Sequence, residues 1–195
     1  MATVFDDLLL RGVRSGETPA RTQASRDWFR NQARQATSVR PMQISRDRDR
    51  ITGRAAVGRM YFFFYDPKTK ADLPYYDTFP LIFKVANTQG GFYGINLHYL
   101  PYKLRAKLMD ALYEITTNQK YDDSTRLRLS YQLLNSASKY RYFKPTFKKY
   151  LNKHVRSRFV EINPSEWDIA LFLPVERFEK ASKSTVWKDS RNMIT

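Results

Sequence analysis

Two imidazoles, His98 and His154, are the whole histidine complement of the chain. They stand far apart, with no Ser or Asp beside either at triad-like or metal-ligand spacing. Histidine is the usual general base near neutral pH, so proton-transfer chemistry has no evident anchor. Packing or surface roles are expected for both. Asp66-Pro67-Lys68 has the outline of the acid-x-Lys end of a metal-dependent nuclease. Pro67 would then fall in the central strand that carries such a motif, where it has no N–H to give the ladder, so a β-turn is expected instead. The Asp122-Asp123 pair reads as a helix cap rather than an acid/base dyad. No Walker-type phosphate loop exists, and Gly90-Gly91 followed by Gly94 is no dinucleotide fingerprint, because a strand rather than a helix should follow it. With no cysteine, the chain has no thiol nucleophile, thiolate zinc site or disulfide. A protein that is not an enzyme, with no metal and no cofactor, is the expectation.

The residues that could do chemistry by binding are the cations. From Arg11 to Arg59 there are twelve arginines, no lysine and four acids, net +8. Planar guanidinium forks in that number point to bidentate recognition of carboxylates or phosphates. From Ser124 to Val160 there is no acid at all and ten Lys or Arg. A merely solvated face mixes signs, because like charges at helical spacing repel. Within this block, Lys139-Tyr140-Arg141-Tyr142-Phe143-Lys144 and Lys148-Lys149-Tyr150 set rings beside cations, as in surfaces that neutralise phosphates and stack on bases. The candidate partner- or DNA-binding residues are therefore Arg21, Arg26, Arg30, Arg34, Arg46, Arg48 and Arg50 in the first block. In the second they are Lys139, Arg141, Lys144, Lys148, Lys149, Lys153, Arg156 and Arg158.

The frame that must position these groups is that of one domain. The chain has 195 residues, 42% of them hydrophobic and 15% aromatic, with a formal charge of +15. No run reaches the ~18 apolar residues of a membrane span, and Asp6 and Asp7 stand where a signal peptide carries cations, so a soluble protein of a reducing compartment is expected. Thr18-Pro19 reads as a helix start, with one helix over 20–36. Residues 38–58, with their Arg46-to-Arg50 run of alternating Arg and Asp, show no apolar face in either period and read as an extended arm. The stretch 57–65 reads as a strand; 79–85 and 92–97, around Gln89-Gly90-Gly91, read as a hairpin whose turn uses the glycines for positive φ. Leu104, Leu108, Leu112 and Ile115 share a helical stripe from which Lys103, Arg105 and Lys107 largely fall away.

A second helix is expected after Asp122-Asp123, with Leu127, Tyr131, Leu134 and Ser138 on one face, and a short third from Pro145 to Lys153. Then come a strand over 155–162, a helix capped at Asn163-Pro164 that contains Trp167, and a last helix over 184–193. The fold class is α+β: a small antiparallel sheet with packed helices, preceded by an extended Arg-rich N-terminal arm. The division is 1–55, a basic arm with one helix, and 56–195, the core domain.

Four strings carry a resemblance: Tyr61-Phe62-Phe63-Phe64-Tyr65-Asp66-Pro67-Lys68, Leu73-Pro74-Tyr75-Tyr76-Asp77-Thr78-Phe79-Pro80-Leu81, Gly94-Ile95-Asn96-Leu97-His98-Tyr99-Leu100-Pro101, and Pro164 to Pro174 around Trp167. Through them most of the chain resembles a small basic virion protein of T-even-like contractile-tailed phages, of the marine and cyanobacterial branch, sometimes called a DNA end protector. The strings are aromatic and proline-rich and name no catalytic residue. The resemblance implies a place in a phage particle, assembled in the host cytoplasm in multiple copies, with other virion proteins as partners and no membrane. Two readings follow. The first is a structural component of neck, tail or baseplate that docks on acidic neighbouring subunits. The alternative is a protein that binds double-stranded DNA and protects the genome end.

Overall fold

The computed structural model describes residues 3–18, 22–116, 120, 132–133, 136 and 141–194. Helix α1, Val4–Arg14, begins at Thr3, whose side chain accepts from the Asp6 N–H while the Asp6 carboxylate accepts from the Thr3 N–H. Those bonds hold the Asp6 carboxyl below its ordinary value. α1 buries Phe5, Leu8 and Gly12, and a Cβ at Gly12 would collide with the Phe29 ring of the next helix. That helix, α2, Gln23–Gln35, is capped by Thr22 rather than Thr18 and buries Phe29, Arg30 and Ala33.

The segment expected to be an extended arm is therefore largely ordered structure. After α2 come α3, Pro41–Ser45, with Ile44 buried, and a 3₁₀ turn over Arg48–Arg50. Strand β1, Ile51–Thr52, then pairs with a strand near the other end of the chain. Of these pieces α3 gives Ile44 to the main core, too little for any period to show. β1 is held by its pairing with that strand, and Arg50 by Glu166, more than a hundred residues away in sequence.

The remaining strands are β2 (Met60–Phe62), β3 (Tyr76–Asp77), β4 (Leu81–Thr88), β5 (Gly91–Asn96), β6 (Phe147–Leu151), β7 (Phe159–Ile162) and β8 (Phe178–Glu179). With β1, five of these form one six-stranded antiparallel sheet in the order β1-β7-β2-β4-β5-β6, and β3 pairs with β8. The β4–β5 hairpin lies where the sequence places it, with Gly90 in the left-handed region at φ 72°. Gly91 is a glycine for another reason: a Cβ there would run into the Tyr150 carbonyl of β6.

Strand alternation gives the sheet two unlike faces. Met60, Phe62, Leu81, Phe83 and Ile95 point into the main core with α1, α2, α4 (Tyr102–Thr116) and the Trp167–Phe172 helix. Tyr61, Ile82, Phe92 and Tyr150 point the other way and join Phe63 and Tyr65 in a second, aromatic cluster.

In α4 the expected leucine stripe is present, but Arg105 is fully buried. Its guanidinium donates to the carbonyls of Leu100, Leu171 and His98 and to Glu176, which ties the helix to the C-terminal segments. The helix expected after Asp122-Asp123 lies outside the described residues. The helix expected over Pro145 to Lys153 is instead a 3₁₀ turn, Arg141–Thr146, running into β6. Pro145 sits within that turn, and Phe147 and Tyr150 find ring partners on neighbouring strands. The C-terminal helix, Lys183–Ile194, matches expectation, with the Trp187 indole donating to the His98 carbonyl at 2.8 Å. No helix among the described residues is long and apolar enough to cross a membrane.

Candidate nucleic-acid interface

The second basic block is built around the free edge of the sheet. β6 pairs with β5 on one side only, in register from Gly91↔Leu151 to Ile95↔Phe147. After Leu151 the chain turns through Asn152–His154 and crosses the aromatic face towards β7. The crossing is pinned by the Asn152 N–H to the Gly90 carbonyl, the Asp66 N–H to the His154 carbonyl and the Arg156 N–H to the Phe64 carbonyl, at 2.9, 3.0 and 2.8 Å. Val155 and Phe159 pack against the aromatic cluster. With the apolar residues turned inward, Lys144, Lys149, Lys153 and Arg158 are left exposed, and none has an ion pair with a described residue. Arg156 is exposed too, within 3.4 Å of Asp66.

The rings of this block divide. Tyr150 is buried, so it supports the surface and offers no face to a base. Phe143 packs against the main core. Phe147 is 38% exposed and stacks on Tyr93 at 5.1 Å. Lys139 lies outside the described residues. Arg141 is placed only as the start of its 3₁₀ turn.

The first block behaves differently. Arg30 is buried, its guanidinium 2.6 Å from Asp168 and 2.6 Å from Asp110. Burial pushes the Asp168 carboxyl up, and the Arg30 charge with the Tyr113 hydroxyl pulls it back. Arg26 lies over the Tyr113 ring and within 3.3 Å of Asp110, without the angle of a hydrogen bond. Arg50 reaches Glu166 at 2.7 Å and Asp47 at 3.0 Å over the Phe5 ring. These three candidates pair with carboxylates inside the molecule. Charge and residue type alone mark them as binding residues, and a fork that fits phosphate fits carboxylate equally well. Arg34, Arg46 and Arg48 are exposed, Arg34 over the Tyr102 ring, and Arg21 lies outside the described residues.

Two clefts open on the aromatic face. One, of about 560 Å³, is lined among others by Arg54, Lys84, Phe92 and Asn152. The Lys84 ammonium there donates to the Ala55 carbonyl at 2.6 Å, and burial pulls its pKa down. The other, of about 330 Å³, lies beside β6 and brings Tyr75, Tyr76 and Tyr99 next to Lys68, Lys148 and Lys149. Apart from Lys148 and Lys149, these residues are not binding candidates on sequence. Tyr75-Tyr76 and Tyr99 carry no cation beside them, and only the sheet and the turn after Pro67 bring them to the lysines.

Each imidazole makes one hydrogen bond within the fold. The His98 ring is buried, its Nδ1 2.8 Å from Asp77, and Asp77 also accepts from the Phe79 N–H and the Asn96 amide. The His154 ring meets the Asp66 carbonyl. Asp66 pairs with Lys70 at 2.8 Å, and the chain turns from Lys68, the last residue of the motif, onward rather than on Pro67 itself. No group of three or more His, Asp or Glu that could hold a metal occurs among the described residues.

Against this geometry, the family model described as "Phage T4 terminal DNA protecting protein" matches residues 4–190. The chain belongs to that family. No curated protein and no solved structure matches it. The match spans α1 to α3 as well as the sheet, in keeping with helices that share the main core.

Proposed function

We propose that this protein binds double-stranded phage DNA at its terminus and shields the end from exonucleases, with the cations around β6 on the phosphates. The observation that carries the reading is the family match over residues 4–190. Supporting it, Lys144, Lys149, Lys153 and Arg158 are exposed and free of described acid partners. Such groups release counterions when they meet a polyanion. On this reading the protein is not an enzyme. It travels in the virion on the genome end, beside other virion proteins, after assembly in the host cytoplasm. Its placement in the marine and cyanobacterial branch rests on the aromatic and proline-rich strings alone. A structural part of neck, tail or baseplate is the weaker reading, because Arg26, Arg30 and Arg50, on which docking to acidic subunits leaned, are used inside the molecule.

The test is digestion of a linear duplex by a double-strand exonuclease with and without the purified protein. The expected result is protection at a few copies per end, relieved by excess linear duplex and not by a covalently closed circle. Undiminished digestion, or equal relief by the circle, overturns the reading.

A further inference from the structure

The 330 Å³ cleft beside β6 holds a cation that the fold does not need. Lys148 lies in β6 on the same face as Tyr150, and its ammonium sits 4.2 Å from the centre of the Tyr99 ring, which is itself only 5% exposed. No carboxylate among the described residues pairs with it. The one acid lining the cleft, Asp77, is buried and occupied, one oxygen by the Phe79 N–H at 3.0 Å and the other by Asn96 at 3.0 Å and His98 at 2.8 Å. Burial without an anion pulls the Lys148 ammonium down to about 8. The face of one ring repays part of the lost hydration of an ammonium, and an entering anion would repay more. Lys68 and Lys149, both exposed, stand at the rim, and the half-buried rings of Tyr75 and Tyr76 line the wall.

Shape decides which anion. A duplex is far wider than this cleft, so phosphates within a continuous double helix can reach Lys68, Lys149 and the outer cations but not a lysine recessed over a buried ring. A chain terminus can enter. A terminal phosphomonoester also carries more charge than an internal diester, since its second ionisation lies near pH 6. We propose that this cleft binds the terminal phosphate of a DNA end, Lys148 donating to the phosphate oxygens from the floor, Lys68 and Lys149 closing over them, and the Tyr75 and Tyr76 rings against the last nucleotide. The inference rests on the DNA-end reading and adds to it the group that tells an end from a continuous duplex.

The test uses full-length protein and short blunt duplexes bearing 5′-phosphate, 3′-phosphate or hydroxyl at both ends, with a closed minicircle as competitor. Wild type should prefer one phosphorylated end over the hydroxyl end by about tenfold, the scale of one charge-assisted hydrogen bond, and the two phosphorylated duplexes tell which strand enters. Lys148→Met should abolish the preference, and Lys148→Arg should restore part of it. Unchanged preference in Lys148→Met, or none in wild type, overturns the inference and leaves the end-binding reading standing if linear duplex still outcompetes the minicircle. Equal competition by the minicircle for wild type sinks the reading itself. Should Lys148→Met not melt cooperatively, thymidine monophosphate and thymidine serve as competitors on wild type. Displacement of a phosphorylated end by the nucleotide but not the nucleoside supports the inference, and no difference between them overturns it.

Discussion

Arg30 and Lys149 carry the same charge and come from the two basic blocks of one chain, yet Arg30 is 5% exposed between Asp168 and Asp110 while Lys149 is exposed on an edge strand with no described acid partner. The contrast extends to their neighbours. Arg26, Arg30 and Arg50 use planar forks to join helices and turns far apart in sequence, and Lys144, Lys153 and Arg158 project from a turn and a crossover whose own rings face inward. Guanidinium is the weaker-hydrated cation and holds several acceptors in fixed directions, so it survives burial more readily than ammonium. Net charge along the chain does not separate a structural cation from a binding one, but the presence of acids within reach in space does.

The largest effect expected is at the buried end of this comparison. Arg30→Ala leaves Asp168 uncompensated in the core and should cost about 3–5 kcal/mol by chemical denaturation, against ~0.5 kcal/mol or less for Lys149→Ala. Similar losses at the two sites would break the comparison outright.

The Arg105–Glu176 pair offers a second buried test, through pH. Burial alone would raise the Glu176 carboxyl, but Arg105, aided by His98 and Lys183, brings it from 4.5 to about 2. A depressed folded value means stability that is present above the unfolded value and is lost as pH falls from about 5 towards 2. The difference in unfolding free energy between wild type and Glu176→Gln should therefore shrink by roughly 3 kcal/mol over that range. Taking a difference cancels the opposite contributions of Asp168 and Glu166, whose carboxyls burial pushes up. A pH-independent difference would mean that Arg105 does not hold Glu176 ionised.

At the exposed end, the β6 edge that carries the lysines depends on the bare backbone of Gly91. Gly91→Ala sets a methyl against the Tyr150 carbonyl and should lose about 1–3 kcal/mol, loosening the edge and DNA binding together. Gly90→Ala meets open space and only the strain of φ 72°, and should lose about 1 kcal/mol with binding intact. Equal losses would show that β6 yields to the added methyl.

Much of the frame was legible. Gln89-Gly90-Gly91 marks the hairpin, the leucines of 104–112 mark α4, and Asn163-Pro164 marks the start of the 3₁₀ turn that leads into the Trp167 helix. Residues 38–58 were not, because β1 pairs with β7 and Arg50 with Glu166, both distant in sequence, and no local period reveals that. Arg105 shows the same blindness in reverse: off the leucine stripe, it is buried because carbonyls and Glu176 await it. Of the site, the acid-free run falls on β6 and its flanks, and local spacing could not sort Tyr150, buried, from Lys149, exposed. The cleft was invisible in sequence, since Tyr75, Tyr99 and Lys148 meet only across the fold.

The central claim, that the β6-edge cations are the ones that meet DNA, is tested most directly by the salt dependence of duplex binding. The variant changes Lys144, Lys149, Lys153 and Arg158 together to Ala. Each phosphate left without its cation should take about 0.9 from the slope of log affinity against log salt, so the slope should fall by up to about 4 with cooperative melting kept. A quadruple variant that binds with the wild-type slope would contradict the account.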